Sequence, residues 1–256
     1  MDLKESSFSG DQRHPWELAR AATIARILSR VVHQKHCSEA PKVLDFGSGD
    51  SYLVHKICQN LPDETHITCV DSSYSNEQII LLRDRYPSSD FQRELPSGQF
   101  DFIFALDVLE HINNDLSALK EVSEHLPKHG VMFITVPAFQ CLYTERDRFL
   151  QHFRRYRHSQ LKSLLVNAEM KIDNSGYFFA SLLAPRAVNK GMRIVLKATS
   201  NAVAKKTSVA RPWRRTGRLA QLFAFLWVCE NRILAWLAAH YVRIPGLTVW
   251  AVCTKK

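Results

Sequence analysis

The sequence lacks the cysteine patterns of a disulfide-stabilised or zinc-binding protein. Its six cysteines are scattered over 256 residues, and none forms a C-x-x-C pair or a cysteine–histidine spacing typical of metal ligands. We therefore expect reduced, intracellular thiols and no bound metal ion.

Long apolar segments are also missing. The N-terminal residues MDLKESSFSG are polar, so no secretory signal is expected. The longest apolar stretch, at 222–229, is much shorter than the roughly 18–20 residues that a membrane-spanning helix needs. These features predict a cytoplasmic protein without a single-pass anchor.

Acidic residues are nearly absent from the last third of the chain. Residues 1–173 contain 20 Lys/Arg and 24 Asp/Glu, whereas residues 174–256 contain 14 Lys/Arg and a single acid, Glu230. The formal net charge of +9 therefore combines a mildly acidic body with a strongly basic final region. A basic region of this kind is typical of contact with nucleic acid or with an anionic surface.

Short β-rich segments alternate with amphipathic segments along the chain. The hydrophobic pattern predicts strands at 42–46, 65–70, 100–106, 130–136, 170–179 and 247–253. It predicts helices that begin at Pro15 and that cover 52–61, 77–85, 115–125 and 159–168. This alternation predicts an α/β fold with a doubly wound, mainly parallel sheet, which binds ligands at the carboxyl ends of its strands.

A glycine-containing loop follows the first predicted strand. Gly47 and Gly49 allow a tight turn and a close approach of a ligand to the backbone. A dinucleotide-binding G-x-G-x-x-G motif would need a third glycine where the chain has Tyr52. Asp71 ends the next strand, 22 residues after Gly49, where an acid can bind both ribose hydroxyls.

The ordered set of Asp45-x-Gly47-x-Gly49, Asp71 and D-V-L-E-H at 107–111 resembles the class I S-adenosylmethionine-dependent methyltransferases. The resemblance implies a Rossmann-like sheet of seven strands, six parallel and the last antiparallel, with S-adenosylmethionine as cofactor. It implies cofactor contacts from Asp45, Gly47, Gly49, Asp71, Leu106, Asp107 and Glu94. The third glycine common in the family loop is replaced by Ser51, which we expect to leave binding intact.

Further segments resemble one bacterial branch of that superfamily, many of whose members are associated with surface glycans or lipid-linked sugars. These segments are RHPWELAR at 13–20, VPAF at 136–139 and H-F-R-R-Y at 152–156. The side chains of Arg154, Arg155 and Tyr156 are predicted to contact substrate, and an arginine pair can hold a phosphate or carboxylate. The alternative is an interface with the acidic body, and we expect one of the two arginines to have a structural role and the other to contact the ligand.

Methyl transfer to a hydroxyl calls for a general base near the carboxyl edge of the sheet. The candidates are His152, His111, Asp147 and Glu110, and the two histidines rank first because imidazole titrates near neutral pH. For each histidine a purely structural role stays open.

Residues 180–246 separate the last two strands and carry most of the basic charge. Because strand six is expected to end at the cofactor edge, this insertion is predicted to cap the active-site face, leaving residues 1–179 and 247–256 as the methyltransferase domain. Arg186, Lys190, Arg193 and Lys197 share one face of a predicted helix. A second helix at 217–243, apolar nearly all round, is expected to be buried or interfacial rather than spanning.

The sequence thus predicts a methyltransferase acting on a small-molecule or lipid-linked acceptor, glycan or quinone-like, by O-methylation. The expected location is the cytoplasm, with a peripheral position at the inner membrane face and contact with anionic lipid as an open alternative. Nucleic acid is disfavoured as a partner because no RNA-binding module is recognisable. An RNA methyltransferase and a catalytically silent binding module remain the alternatives.

Overall fold

A computed structural model of the chain describes residues 13–35, 40–199 and 218–256. Seven strands form one sheet in the order β3-β2-β1-β4-β5-β7-β6. The strands are β1 Lys42–Phe46, β2 His66–Val70, β3 Ser89–Gln92, β4 Phe102–Leu106, β5 Val131–Pro137, β6 Met170–Phe178 and β7 Thr248–Lys255. The helices are α1 Pro15–Lys35, α2 Tyr52–Cys58, α3 Asn76–Arg85, α4 Asp115–Glu124, α5 Glu145–Phe149, α6 His158–Asn167, α7 Leu183–Thr199 and α8 Arg218–Ala239.

The predicted sheet is confirmed. Strands β1 to β5 pair in parallel, and β7 pairs antiparallel with both β5 and β6, so β6 runs in the same direction as the first five. Two elements were not found from the sequence pattern. Strand β3 is only four residues long, with the half-polar sequence SDFQ, and helix α5 has five residues. Elements this short contain too few periods for hydrophobic spacing to reveal them.

Alternate residues of the central strands pack into two separate cores. Along β4, Phe102 and Phe104 join the core beneath α1 and α8, whereas Ile103 and Ala105 join the core on the opposite face. Trp250 of β7 stacks on Phe133 and Phe178 at centroid distances of 6.0 and 5.3 Å. The sheet is therefore covered on both faces, and ligands can reach it only at its edges.

Helix α8 packs on the sheet beside α1 and against β6. Its residues Ala235 and Ala238 are buried, and a Cβ added at Gly176 of β6 would lie 2.9 Å from the Ala238 Cβ. The Asn231 side chain, which is fully buried, accepts a hydrogen bond from the Phe179 N–H at 2.9 Å. Asn231, a polar residue within this apolar helix, thus fixes the position of α8 along β6.

The register of α8 against β6 places the first part of the helix beyond the sheet. Because Ala238 meets Gly176, near the end of β6, and Asn231 meets Phe179, the residue after that end, the residues of α8 before Asn231 lie past the carboxyl edge. The thirteen residues 218–230 correspond to about 20 Å of helix at about 1.5 Å per residue. Helix α7 also lies at this edge, where Lys190 Nζ donates hydrogen bonds to the carbonyls of Cys141 and Tyr143.

Parts of the predicted insertion lie outside the described residues, namely 200–217 and the side chains of Arg193 and Lys197. The division of the chain into a methyltransferase domain and a capping insertion stays a prediction. Within the described residues, one helix segment, Leu219–Ala239 of α8, is long and apolar enough to cross a membrane by length and composition. Its mean hydropathy is 1.4, and 28% of it is buried in the protein.

Candidate active site

The loop after β1 turns on two glycines with positive φ angles, 72° at Gly47 and 55° at Gly49. A Cβ at Gly47 would lie 2.5 Å from Cγ2 of Val108, so no larger residue can occupy this position without displacing its neighbour. The loop is held by Asp71, whose carboxylate accepts hydrogen bonds from the N–H groups of Gly49 and Ser73, each at 3.0 Å. The Asp71 side chain thereby links the ends of β1 and β2.

A cavity of about 750 Å³ opens beside this loop, and we call it the loop cavity. It brings together four of the predicted cofactor residues, Gly47, Asp71, Glu94 and Asp107. It also contains residues that sequence reasoning missed, among them Phe46, Arg93, Leu95, Val108, Leu150 and Gln151. Its size lies in the range of pockets that hold a cofactor-sized molecule.

Asp45, Gly49 and Leu106, the other predicted cofactor residues, do not line the loop cavity. Asp45 is 4% exposed beneath the loop, and burial raises its pKa to about 7, with the neighbouring carboxylates of Asp71 and Asp50 adding to the shift. Leu106 is buried at the end of β4. Whether they contact a cofactor stays a prediction.

A second cavity of about 260 Å³ lies between α1, α7 and the carboxyl edge, and we call it the arginine cavity. Five arginines line it: Arg13, Arg20, Arg146, Arg155 and Arg186. Five acids line it as well: Glu17, Asp50, Asp107, Glu110 and Asp147. The two cavities share Asp107, His111 and Leu150, so a ligand in one adjoins a ligand in the other.

Asp107 stands at the junction of the two cavities in a left-handed conformation, with φ 57°. Arg20 of α1 contacts its carboxylate at 2.5 Å, and the Thr135 hydroxyl donates to it at 3.1 Å. Burial opposes ionisation of Asp107, but the Arg20 charge and these hydrogen bonds outweigh burial and lower its pKa. Arg20 was missed as a site residue, although it belongs to the RHPWELAR segment that the resemblance singled out.

The two ranked histidines meet in the arginine cavity. The rings of His111 and His152 lie edge to face with centroids 4.5 Å apart, and Glu110 adjoins them. Glu110 is 1% exposed, and burial, together with the Asp107 charge, raises its pKa well above the ordinary value. A carboxylate oxygen of Glu110 and one ring nitrogen each of His111 and His152 all lie within 4.8 Å of one another.

Asp147 lies behind His152, and its carboxylate is held from several sides. It accepts hydrogen bonds from the Thr144 N–H and hydroxyl, at 2.8 and 2.9 Å, and Arg155 approaches it to 2.7 Å. Its pKa is lowered strongly, because the hydrogen bond from His152 and the Arg155 charge outweigh burial. Since the His152 Nδ1 lies 3.2 Å from this carboxylate, Asp147 orients the imidazole.

The predicted substrate residues separate into two groups. Arg155 lines the arginine cavity, but Arg154 pairs with Asp115 at 2.9 Å and donates to the Asn113 carbonyl at 2.6 Å. The hydroxyl of Tyr156, which is buried, donates to the same Asp115 at 2.8 Å. Neither Arg154 nor Tyr156 lines one of the two cavities, and both fasten the segment to the start of α4.

A family model described as a methyltransferase domain matches residues 16–172, more than half of the chain. The chain belongs to this methyltransferase family. It is an S-adenosylmethionine-dependent enzyme with a class I fold. A search of curated proteins finds no match.

Several solved methyltransferase structures share this fold at low sequence identity. A proposed sarcosine dimethylglycine methyltransferase from Galdieria sulphuraria has a TM-score of 0.57 and 14% identity, with 93% of this chain and 86% of that chain covered. The plantazolicin methyltransferase BamL, in complex with SAH and a substrate analogue, has a TM-score of 0.54, 13% identity and coverage of 93% and 86%. Coclaurine N-methyltransferase, bound to N-methylheliamine and SAH, has a TM-score of 0.52, 12% identity and coverage of 91% and 70%.

The lining of the loop cavity is compatible with the cofactor contacts that the sequence predicts. Gly47 presents bare backbone where a side chain would intrude, and Asp71 offers a carboxylate at the cavity wall for ribose hydroxyls. Ser51, which replaces the third loop glycine, adopts a left-handed φ of 57°. Its hydroxyl and that of Ser48 lie 3.2 and 2.5 Å from the Tyr74 hydroxyl, so a hydrogen-bond network supports the strained residue.

Proposed function

We propose that this enzyme transfers the methyl group of S-adenosylmethionine to a hydroxyl of a small or lipid-linked acceptor held in the arginine cavity. The observation that carries the proposal is the junction of two cavities at Asp107, His111 and Leu150. A cofactor in the loop cavity would present its methyl group to an acceptor in the adjoining cavity. Methyl transfer is a direct displacement, for which alignment of the two reactants can supply about 7–11 kcal/mol.

The side chains at the junction suit an acceptor that loses a proton. His111 and His152 stand together in the arginine cavity, and Asp147 orients His152. An imidazole so placed can take the hydroxyl proton as the new C–O bond forms. Asp107, ionised and paired with Arg20, keeps negative charge beside the cationic sulfonium.

The lipid-linked character of the acceptor is supported by the surroundings of the arginine cavity. Leu182 and Arg186, at α7, line the cavity together with the apolar side chains of Trp16, Phe179 and Leu247. Val188 and Met192 of α7 are 61% and 58% exposed on the same helix. A basic and apolar rim of this kind suits an acceptor with an anionic head and an apolar tail.

The exposed face of α8 supports a position on a membrane surface. Its large apolar side chains beyond the carboxyl edge are 45–63% exposed, namely Leu219, Leu222, Phe223, Phe225 and Leu226. Because this part of α8 stands on the same edge as the cavities, a membrane bound there would adjoin the acceptor site. The surplus of basic residues in 174–256 favours anionic lipid, at about 1 kcal/mol for each charge near the surface.

The direct test is release of S-adenosylhomocysteine on incubation with S-adenosylmethionine and a cellular lipid extract. We expect product with the wild-type protein, much less with Asp71→Ala at a subsaturating cofactor concentration, and none with Gly47→Val. Metabolite profiling of a deletion strain would then identify the missing methylated compound. S-adenosylmethionine binding without any product from lipid or aqueous extracts would instead support a silent binding module.

A further inference from the structure

Glu110 differs from the other acids that line the arginine cavity. Asp107 and Asp147 are paired with Arg20 and Arg155, and Arg13 contacts both Asp50 and Glu17. Glu110 has no such ion pair among the described residues, and both of its carboxylate oxygens are buried without a hydrogen-bond partner there. Burying a carboxylate without hydrogen-bond partners costs folding free energy, unless a bound ligand supplies the missing contacts.

Two imidazoles, those of His111 and His152, have a ring nitrogen within 4.8 Å of this carboxylate. The Asp147 carboxylate is ion-paired with Arg155 and accepts hydrogen bonds from Thr144, so in its contact with the His152 Nδ1 the imidazole nitrogen is the donor. The Nε2 atom of a neutral His152 then has a lone pair for a ligand. Histidine ligands of metal ions commonly have this arrangement, with the second ring nitrogen bound to a carboxylate.

We propose that Glu110, His111 and His152 bind a divalent transition-metal cation, with Zn²⁺ as the best match to the donor set. Two imidazoles and one carboxylate leave an open coordination position, which here faces the arginine cavity. The ligand atoms around a bound Zn²⁺ lie about 3–4 Å from one another. In this structure the three donor atoms lie within 4.8 Å of one another, so small side-chain rotations would bring them to coordination distance. Cysteine spacing could not reveal this site, because it contains no cysteine.

The backbone fixes the ligands relative to one another. Glu110 and His111 lie in a short 3-10 helix, Leu109–His111, directly after Asp107. The Glu110 carbonyl accepts the Phe153 N–H at 2.7 Å, which joins this helix to the residue beside His152. The three ligands therefore come from two segments that are hydrogen-bonded to each other.

The role of the cation rests on the proposed function. Bound to the cation, an acceptor hydroxyl would lose its proton to solvent water near neutral pH. An oxygen lone pair then forms the bond to the methyl carbon, and the C–S electron pair returns to sulfur, which leaves as S-adenosylhomocysteine. No electron is gained or lost by the metal. The methyl transfer of the proposed function is unchanged, but with the cation bound His111 and His152 would both be ligands, and activation of the hydroxyl would pass from the imidazole base to the cation.

The test is equilibrium dialysis of the untagged, metal-free full chain against Co²⁺ and, separately, Zn²⁺. We expect one equivalent bound by the wild type, with visible Co²⁺ absorption, and binding at least about tenfold weaker in His152→Ala and Glu110→Gln. His240→Ala and Cys141→Ser, which change ligand-type side chains outside the cluster, should bind as the wild type does. Asp147→Asn, a positioning variant, should weaken binding about 10–100-fold.

Equal Co²⁺ binding by the wild type and both ligand variants, or no binding by the wild type, would overturn the proposal. S-adenosylmethionine affinity, measured on the same samples, shows whether each variant is folded. If the cofactor binds and product forms without any metal, the cation proposal fails while the proposed function stands. If the metal binds at the cluster but no acceptor is methylated, the proposed function fails and the cation site stands.

Discussion

At the scale of single residues, Asp71 and Gly47 are the residues that we most clearly expect to bind the cofactor. Both line the loop cavity, one with a carboxylate and the other by the absence of a side chain. Both were predicted from the spacing of glycines and acids, because a ligand that touches backbone imposes residue types that remain visible in the sequence.

Replacing these residues should impair cofactor binding. Asp71→Ala removes a charged hydrogen-bond acceptor and is expected to weaken S-adenosylmethionine binding by about 10–100-fold, whereas Gly47→Val should abolish it. Isothermal titration calorimetry measures both effects. Asp90→Ala, which removes an exposed carboxylate on β3, is the control. Unchanged affinity in both site variants would contradict the assignment of the loop cavity.

The raised pKa of Asp45 predicts that the stability of the protein depends on pH. Its pKa is raised from 3.8 to about 7, so the folded protein holds this proton more tightly than the unfolded chain. The contribution of Asp45 to the free energy of unfolding is therefore full below about pH 4 and is lost as pH rises to about 7. Asp45→Asn should remove this loss.

Urea unfolding at about pH 5 and about pH 8 tests the expectation for Asp45. Relative to the wild type, Asp45→Asn should gain stability at the higher pH. The exposed Asp90→Asn serves as a control for removal of a surface carboxylate. A stability difference between Asp45→Asn and the wild type that is the same at both pH values would show that Asp45 does not titrate in this range.

At the scale of elements, α8 is positioned by a polar contact as well as by apolar packing. The sequence predicted an apolar helix at 217–243, but it gave no indication that Glu230 and Asn231 position this helix. In the structure, Glu230 accepts hydrogen bonds from the Ser181 N–H and hydroxyl, both at 2.6 Å, and Asn231 binds the Phe179 N–H. These contacts tie α8 to the segment that leads into α7.

Asn231→Ala should destabilise the fold by about 1–3 kcal/mol, because the buried Phe179 N–H loses its acceptor. Urea unfolding monitored by tryptophan fluorescence gives the free energy change. Asn189→Ala, an exposed asparagine of α7, makes the same substitution where no buried contact is lost. Similar unfolding free energies for the two variants would show that the buried contact does not stabilise α8.

At the scale of the whole molecule, the two cavities and the exposed apolar start of α8 lie at the same edge of the sheet. The body is mildly acidic, and the carboxyl edge carries both the cavities and the exposed start of α8. The cytoplasmic location and the peripheral position at the inner membrane face stay predictions, and liposome binding is the measurement that addresses them.

The double variant Leu222→Glu/Phe225→Glu should reduce sedimentation with anionic liposomes at least about tenfold, because both apolar side chains are exposed beyond the sheet. Wild-type protein should bind anionic liposomes more strongly than neutral ones. Ile80→Glu/Leu81→Glu changes two exposed apolar residues of α3 and is the matched control. Equal sedimentation of all three proteins would contradict membrane docking.

The sequence by itself determined the fold and the cofactor loop of this protein. Hydrophobic alternation located six of the seven strands, and the ordered motif residues Gly47, Asp71 and Asp107 lie together in the loop cavity. Both kinds of information are local, since each strand and each turn imposes its own residue pattern over a few positions.

Only the tertiary structure decided which distant side chains line the arginine cavity and which apolar surface stays uncovered. Arg20 meets Asp107 across 87 positions, and Glu110 meets His152 only because two loops pair at the sheet edge. A helix that is apolar nearly all round, such as α8, does not indicate which of its sides is covered. Packing against α1 and β6 decides it: this packing buries the side that carries Leu234, Ala235 and Ala238, and it leaves the start of the helix exposed.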